Sequence, residues 1–397
     1  MSDPIFLHLG LLLVTGLLFS LLAARFNLPR IAVYALAGLI WSQDLLGGVF
    51  NLQLGNWSGM LTQTALALIA YLIGGSVTAR QLKRLGNTIV FCTAGEVLGA
   101  AIMVFVAVWL FLSGQAQALL VAAALSVLAA STAPAATVAV IHEYRSRGPL
   151  TTSLLGVVAL DDAVGIILFS LLLVVTTGIS FTGAMSVAAV EVGGALLLGA
   201  VMGWALAFFG NRVRNPHFFL PMVLSAILLS QGLAQIWHCS PLLTAMTLGF
   251  VGRATYKSGG ERLLAPVEYL EELVFLVFFT LAGAHFNLNV LLGGAELVVI
   301  YVLARVVGKI AGTNLMARFT DAPPAVRRYI GLGVVPQAGI AIGLALSLLN
   351  HPAFADTGLL IVNVILASTL IYELLGPFAT RYALRQAGEI SEEGRYD

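Results

Sequence analysis

Long apolar runs separated by short polar segments extend over almost the whole chain. Thirteen of these runs are predicted to cross a hydrocarbon core about 30 Å thick. They are numbered spans 1 to 13 and lie roughly at 5–24, 29–45, 58–77, 86–112, 117–142, 148–177, 183–210, 217–236, 240–252, 265–285, 288–316, 327–350 and 357–380. The pattern predicts an all-α polytopic membrane protein with about thirteen transmembrane helices.

Composition agrees with this pattern. Hydrophobic residues are 59% of the 397 positions, charged residues are 10%, and the mean hydropathy is +0.97. A soluble fold could not cover its surface with so few charges, so lipid is the expected solvent for most of the chain. The sequence contains no basic tail of the kind that binds nucleic acid. The two cysteines have neither metal-ligand spacing nor a disulfide framework, and no cofactor is expected.

The positions of lysine and arginine give an orientation, because cytoplasmic loops retain positive charge during insertion. All but two of the 20 basic residues fall in every second loop or in the C-terminal tail. These are Arg25, Arg30, Arg80, Lys83, Arg84, Arg145, Arg147, Arg212, Arg214, Arg253, Lys257, Arg262, Arg318, Arg327, Arg328, Arg381, Arg385 and Arg395. We therefore expect a multi-pass protein of the cell membrane, with the N-terminus outside, a retained first span and a cytoplasmic C-terminus.

The number of spans also predicts internal symmetry. Span 7 would link two sets of six helices, and an odd linker makes the two sets begin on opposite sides of the membrane. This is the topology of an inverted repeat.

Two adjacent carboxylates lie inside span 6. About ten residues, or roughly 15 Å of helix, separate Asp161 from the cytoplasmic end of that span, and Asp162 follows it directly. A charge at this depth costs on the order of 3 kcal/mol, so it indicates a partner or a function. Neighbouring carboxylates in a low dielectric oppose each other's ionisation, so the pair can trade protons for a cation. The alternative is that both aspartates only stabilise helix packing.

The two basic residues without a loop, Arg305 and Lys309, lie one turn apart in span 11. Lys309 is the expected counter-charge of one aspartate, because an unpaired ammonium there would deprotonate or destabilise the helix. Its alternative role is a purely structural salt bridge. Glu96 is the only acid near the middle of span 4. We expect it to form a neutral, structural ion pair with Arg305 rather than to act in transport.

Prolines interrupt two spans at mid-depth. Span 5 contains Ser131-Thr132-Ala133-Pro134, and span 12 contains Pro336 within a glycine-rich stretch. Proline removes a backbone donor and disfavours helical geometry before it, which frees carbonyls and the two hydroxyls of span 5. Irregular backbone is tolerated at this depth only inside protein or along a water-filled cavity. Breaks at corresponding positions of two halves indicate a binding site.

Four segments carry a resemblance to a known family. They are Asn27-Leu28-Pro29 with Ala37-Gly38, Leu160-Asp161-Asp162-Ala163-Val164-Gly165, Phe278-Phe279 with Gly283, and Gly308-Lys309 with Gly312. Over nearly its whole length the chain resembles the sodium/proton antiporters of the cation:proton antiporter superfamily, in the NapA-like and NhaA-like branch with an Asp-Asp motif. The aspartate pair with the matching lysine is the specific part of this resemblance.

The resemblance implies a fold in which two discontinuous helices cross, and a homodimer that works by elevator-type alternating access. Asp162 would bind the cation and the proton, Asp161 would assist and pair with Lys309, and Thr132, with Ser131 and nearby carbonyls, would complete the coordination. Exchange would be electrogenic, with two protons for one cation. The implied parts are a dimerisation panel at 1–85 and 213–287, an ion-binding core at 86–177 and 288–380, a linker helix at 178–212 and a short cytoplasmic tail at 381–397.

Two departures from the family pattern leave the cation open. The break in span 5 reads Thr132-Ala133-Pro134, where electroneutral relatives often have Thr-Asp-Pro, and span 12 has Gln337-Ala338-Gly339 where many relatives carry a charge. Sodium is the first expectation, with lithium or potassium as alternatives. A potassium-efflux protein of the Kef type and a non-transporting sensor with the same fold are the competing hypotheses. No Ser/His/Asp arrangement or phosphate loop in the sequence favours an enzyme.

Overall fold

The structure, a computed structural model, describes residues 5–26, 28–49, 54, 56–76, 78–177, 181–213, 215–256, 260–285, 295–337, 340–349 and 352–390. Within these ranges the chain is all-helical and contains no strand, which confirms the predicted class. Several residues named above lie outside the described part of the chain, namely Asn27, Arg214, Lys257, Ala338, Gly339 and Arg395, together with the side chains of Arg80, Arg84 and Asp162.

Seventeen α-helices are described, and they follow the predicted apolar spans. Their bounds are α1 Ile5–Phe26, α2 Arg30–Ile40, α3 Leu46–Val49, α4 Asn56–Ser76, α5 Ala79–Phe111, α6 Ala118–Leu128, α7 Pro134–Glu143, α8 Pro149–Thr177, α9 Phe181–Gly210, α10 Phe219–Ile236, α11 Pro241–Thr255, α12 Glu261–Glu268, α13 Glu271–Ala284, α14 Ala295–Ala317, α15 Pro324–Gly333, α16 Ile340–Leu349 and α17 Gly358–Gln386. Spans 5, 10 and 12 are each divided between two helices.

Six described helices are long and apolar enough to cross a membrane by themselves. They lie at 57–76, 85–111, 149–176, 185–210, 216–236 and 358–386. Shorter apolar helices, such as α6 and α2, accompany them. The count of thirteen crossings and the inverted repeat therefore stay predictions.

Contacts divide the chain into two units. Unit 1 comprises Met1–Gln53, Leu85–Ala184 and Phe279–Asp397, and unit 2 comprises Leu54–Arg84 and Met185–Phe278. The predicted division into a panel, a linker and a core remains a prediction. All the predicted site residues belong to unit 1.

Unit 2 is built on a close approach of α4 and α11. A Cβ at Gly74 would overlap the carbonyl oxygen of Met246, and a Cβ at Gly249 would overlap that of Tyr71. Small residues that let helix backbones touch are typical of helix association in membranes, where van der Waals packing replaces the hydrophobic driving force. The Tyr71 hydroxyl also donates to the carbonyl of Leu263, at 2.9 Å.

Candidate ion site

The two predicted helix breaks lie against each other in unit 1. Helix α6 ends at Leu128 and α7 begins at Pro134, while α15 ends at Gly333 and α16 begins at Ile340. The amide of Ala133 donates to the carbonyl of Pro336 at 2.9 Å. This bond joins the two non-helical segments directly.

Side chains hold the same crossing. The hydroxyl of Thr137 donates to the carbonyl of Gly333 at 2.8 Å, and Nε2 of Gln337 donates to the carbonyl of Leu128 at 2.8 Å. The hydroxyl of Tyr301 pairs with the amide of Gln337. Residues at each break thus donate hydrogen bonds to backbone carbonyls of the other break that have no partner within their own helix. Buried backbone groups require such partners.

Arg305 fills the space between the breaks. Its guanidinium donates to the carbonyls of Ala129 at 2.9 Å and Ser131 at 2.7 Å on one side, and to those of Val335 and Pro336 on the other. The Arg305 side chain is fully buried and lies over the ring of Tyr372, 4.6 Å from the ring centroid. A planar fork with five donors can serve several carbonyls at once. Arg305 therefore joins two discontinuous helices through their backbones.

This position corrects the expected ion pair between Glu96 and Arg305. Among the described residues, Arg305 donates to backbone carbonyls, and Glu96 contacts Lys309 instead. The physical reason is that α14 presents its arginine where the orphan carbonyls of both breaks converge, and only a guanidinium has enough donors for them.

Lys309 lies one helical turn further along α14 and is also fully buried. Its ammonium donates to the hydroxyl of Thr132 at 2.6 Å and to the carbonyl of Ala130 at 2.7 Å. It lies 3.4 Å from Oε2 of Glu96 and 3.9 Å from Oδ2 of Asp161. The ammonium is therefore shared between the break of span 5 and two carboxylates on different helices.

The two carboxylates around Lys309 are incompletely partnered. Glu96 and Asp161 are both fully buried. Oε1 of Glu96 and both oxygens of Asp161 have no hydrogen-bond donor among the described residues. Oε2 of Glu96 and Oδ2 of Asp161 lie 3.4 and 3.9 Å from the same ammonium, that of Lys309. Two acidic groups around one ammonium leave oxygen ligands available to another cation or to a proton.

The other predicted ligands divide into two groups. Thr132 and Ser131 are buried in the break, where the hydroxyl of Ser131 donates to the carbonyl of Leu128 at 3.3 Å. Asp162 follows Asp161 in α8, but its side chain is not described. The structure thus brings Thr132, Glu96 and Asp161 together around the ammonium of Lys309.

Four glycines set the separation of α5 and α14. A Cβ at Gly95 would overlap the carbonyl oxygen of Gly312, and a Cβ at Gly99 would overlap that of Gly308; the reverse overlaps also hold. Glu96 and Lys309 directly follow Gly95 and Gly308 in sequence. The glycine contacts therefore bring the glutamate to the lysine, and the sequence signal was the glycine spacing of four in both helices.

Replacing Arg305 by lysine is expected to lower the free energy of unfolding by about 2 kcal/mol or more, because several buried carbonyls would lose their donor. The measurement is thermal unfolding of the purified protein in detergent. Arg318→Lys, an exposed arginine near the end of the same helix, is the matched control. Equal melting temperatures for the two variants would contradict the role given to Arg305.

Crossed discontinuous helices with buried charges between them are the architecture of secondary transporters. The sequence profile of the family described as "Sodium/hydrogen exchanger, transmembrane" matches residues 10–379. The chain belongs to this family, and it is a multi-pass membrane protein.

Individual relatives are more distant. The ammonium/H(+) antiporter subunit AmhT of Alkalihalophilus pseudofirmus is 27% identical over 251 residues, an alignment that covers 62% of this chain and 62% of that protein. The chain thus aligns with less than two thirds of this curated relative.

Solved structures of the sodium proton antiporter MjNhaP1 from Methanocaldococcus jannaschii share the fold. The structure at pH 8 has a TM-score of 0.70 and 20% identity, and the alignment covers 97% of this chain and 98% of that chain. A second structure, from electron microscopy, has a TM-score of 0.72 and 19% identity, covering 99% and 100%. At such identities the likeness concerns the fold alone.

Proposed function

We propose that the protein is a secondary transporter that exchanges a monovalent cation, in the first place sodium, for protons. The observation that carries this proposal is the buried cluster in which Lys309 lies between Glu96, Asp161 and the hydroxyl of Thr132. Such a cluster is costly in a membrane protein unless its charges exchange partners. Membership of the sodium/hydrogen exchanger family supports the same conclusion.

The residues would divide the work as follows. Asp162 and Asp161 bind the cation or the proton, and Thr132, Ser131 and the freed carbonyls supply further oxygen ligands. Lys309 compensates the carboxylates while the cation is absent. When a cation enters, Lys309 withdraws from Asp161, and its contact with Glu96 keeps the ammonium partnered. Alternating access would be of the elevator type, in a homodimer of the cell membrane with a cytoplasmic C-terminus, and two protons per cation would make exchange electrogenic.

The identity of the cation is part of the proposal. Sodium is the first candidate, lithium and potassium follow, and the name of the relative from Alkalihalophilus pseudofirmus adds ammonium. A K⁺/H⁺ antiporter or a Kef-like efflux protein would use the same cluster with another preference. A non-transporting sensor would have no use for buried carboxylate oxygens that lack a hydrogen-bond donor among the described residues, which favours transport.

Purified protein in liposomes with an imposed pH gradient tests the proposal. Addition of the transported cation is expected to dissipate the gradient, and Asp162→Asn is expected to reduce the response to that of empty liposomes, because an amide cannot exchange a proton for a cation. Asp321→Asn, an exposed aspartate outside the site, is the matched control and should behave like the parent. Exchange by Asp162→Asn at the parent rate would refute the site.

The same liposomes decide the stoichiometry. A membrane-potential dye should respond to the cation when two protons leave for each cation that enters. Equal exchange with and without a potential clamp would remove electrogenicity from the proposal and leave antiport itself intact.

A further inference from the structure

The helix that carries Asp161 and Asp162 has no capping side chain of its own. Helix α8 begins at Pro149, so Gly148 occupies the N-cap position. Glycine cannot accept the hydrogen bonds of the first turn, where the amides have no partner within the helix. An aspartate or serine at this position would normally accept from the second or third helical residue. These residues are Leu150 and Thr151.

Glu389 supplies the missing cap from the other end of the chain. Its Oε1 accepts from the amide of Leu150 at 2.6 Å, and its Oε2 accepts from the amide of Thr151 at 2.7 Å. The hydroxyl of Thr151 donates to the same Oε2 at 2.7 Å. These are the amides that an N-cap side chain would serve. A Cβ at Gly148 would overlap the Glu389 carboxyl group, so the glycine makes room for a cap from elsewhere.

The end of α17 places Glu389 there. Gly388 has a φ of +71°, and its amide donates to the carbonyl of Arg385 at 3.0 Å. The amide of Glu389 donates to the carbonyl of Leu384, also at 3.0 Å. This pair of bonds around a left-handed glycine is the Schellman motif that ends a helix. Glu389 therefore extends from a defined helix terminus.

The loop between α7 and α8 is held by the same residue. The carbonyl of Glu389 accepts from the hydroxyl of Ser146 at 3.2 Å and from the amide of Arg147 at 3.3 Å. Eight residues before Glu389, in α17, the guanidinium of Arg381 lies 5.0 Å from the ring centroid of Tyr144. The C-terminal end of α17 thus contacts both the start of α8 and the loop before it.

We propose that Glu389 is a positioning residue for exchange: it ties the end of α17 to the start of α8, so that the helix with the aspartate pair moves together with the last helix. This inference rests on the proposed function. The bonds of Glu389 go to α8 and to the loop before it, while α17 packs on the break segments through Tyr372 and Gly376, which lie against Arg305 and Pro336. The C-terminal end of α17 is thus tied to the start of α8, and the middle of α17 contacts Arg305 and the break at Pro336.

The tie and a simple helix cap make different predictions. Glu389→Ala removes the carboxylate that forms both the cap and the tie to α8, while the backbone carbonyl of residue 389 can still accept from Ser146 and Arg147. Adding Gly148→Asp restores the cap within α8, because an aspartate at the N-cap can accept from the same amides. Removing the Glu389 carboxyl also frees the space that the new Cβ needs, and the φ of Gly148 is not in the left-handed region. The double variant has a cap without a tie.

The experiment measures thermal stability and exchange for four proteins in the liposome assay: the parent, Glu389→Ala, Gly148→Asp with Glu389→Ala, and Asp321→Asn, an exposed aspartate, as a control of similar charge change. Glu389→Ala should lower the melting temperature because α8 loses its cap. It should also reduce the maximal exchange rate about fivefold, with unchanged apparent affinity for the cation, because the two helices lose their connection. The double variant should regain the melting temperature and not the rate. Asp321→Asn should match the parent.

Recovery of both the melting temperature and the rate in the double variant would overturn the tie and leave Glu389 as a cap. A changed apparent affinity with an unchanged maximal rate would overturn it as well. If Glu389→Ala does not fold, Glu389→Gln, which keeps one accepting oxygen, takes its place with a smaller expected loss of rate. Absence of exchange in the parent would instead refute the proposed function.

Discussion

Lys309→Met is expected to abolish exchange and to lower the free energy of unfolding by about 3 to 5 kcal/mol, because removing one member of a buried charge cluster leaves the others uncompensated. The lysine is the ammonium nearest to Glu96 and Asp161 among the described residues. Methionine keeps most of the volume of the side chain, so the effect reports charge rather than a cavity. The measurements are thermal unfolding in detergent and exchange in liposomes.

Two further variants sharpen this prediction. Lys83→Met, an exposed lysine on α5, is the matched control and should melt like the parent. Lys309→Met combined with Glu96→Gln should regain part of the lost stability, because Asp161 would no longer lie beside a second carboxylate. If the double variant is less stable than Lys309→Met alone, Glu96 does not contribute negative charge at the site, and the proposed role of its contact with Lys309 is wrong.

Much of this site could be predicted from the sequence because the chain lies in a membrane. Asp161, Lys309 and Arg305 stand out because charges are expensive at membrane depth, and Pro134 and Pro336 stand out because they interrupt apolar spans. The pattern of apolar runs likewise predicted an all-helical fold. These signals are local in the sequence, and each has one physical cause.

Which groups Arg305 and Lys309 contact could not be predicted from the sequence. Arg305 and Lys309 lie one turn apart on one helix, so spacing alone could not decide which of them contacts Glu96. The decision depends on where the carbonyls of Ala129 and Val335 converge, and that is fixed by the crossing of two distant breaks. The Glu389 cap was hidden for the same reason, since 239 residues separate it from Leu150.

The site also depends strongly on the glycine contacts between α5 and α14. Gly95 and Gly99 face Gly312 and Gly308, and in each case the atom that a Cβ would overlap is a backbone carbonyl oxygen. Backbone cannot swing aside as a flexible side chain can, so a larger residue must push the two helices apart. Glu96 and Lys309 lie next to these contacts in sequence and would separate with them.

Gly99→Ala is therefore expected to lower the free energy of unfolding by about 1 to 3 kcal/mol, as overpacking does, and Gly308→Val is expected to leave no folded, monodisperse protein. Gly86→Ala is the matched control, because Gly86 lies in the same helix and no neighbouring atom of the described residues lies within 4 Å of an added Cβ. Alanine favours a helix interior over glycine, so this variant should melt at or above the parent temperature. Size-exclusion chromatography after graded heating measures all three. If Gly99→Ala has the same melting temperature as Gly86→Ala, the close approach of α5 and α14 is not what holds Glu96 against Lys309. Another contact must then position the lysine.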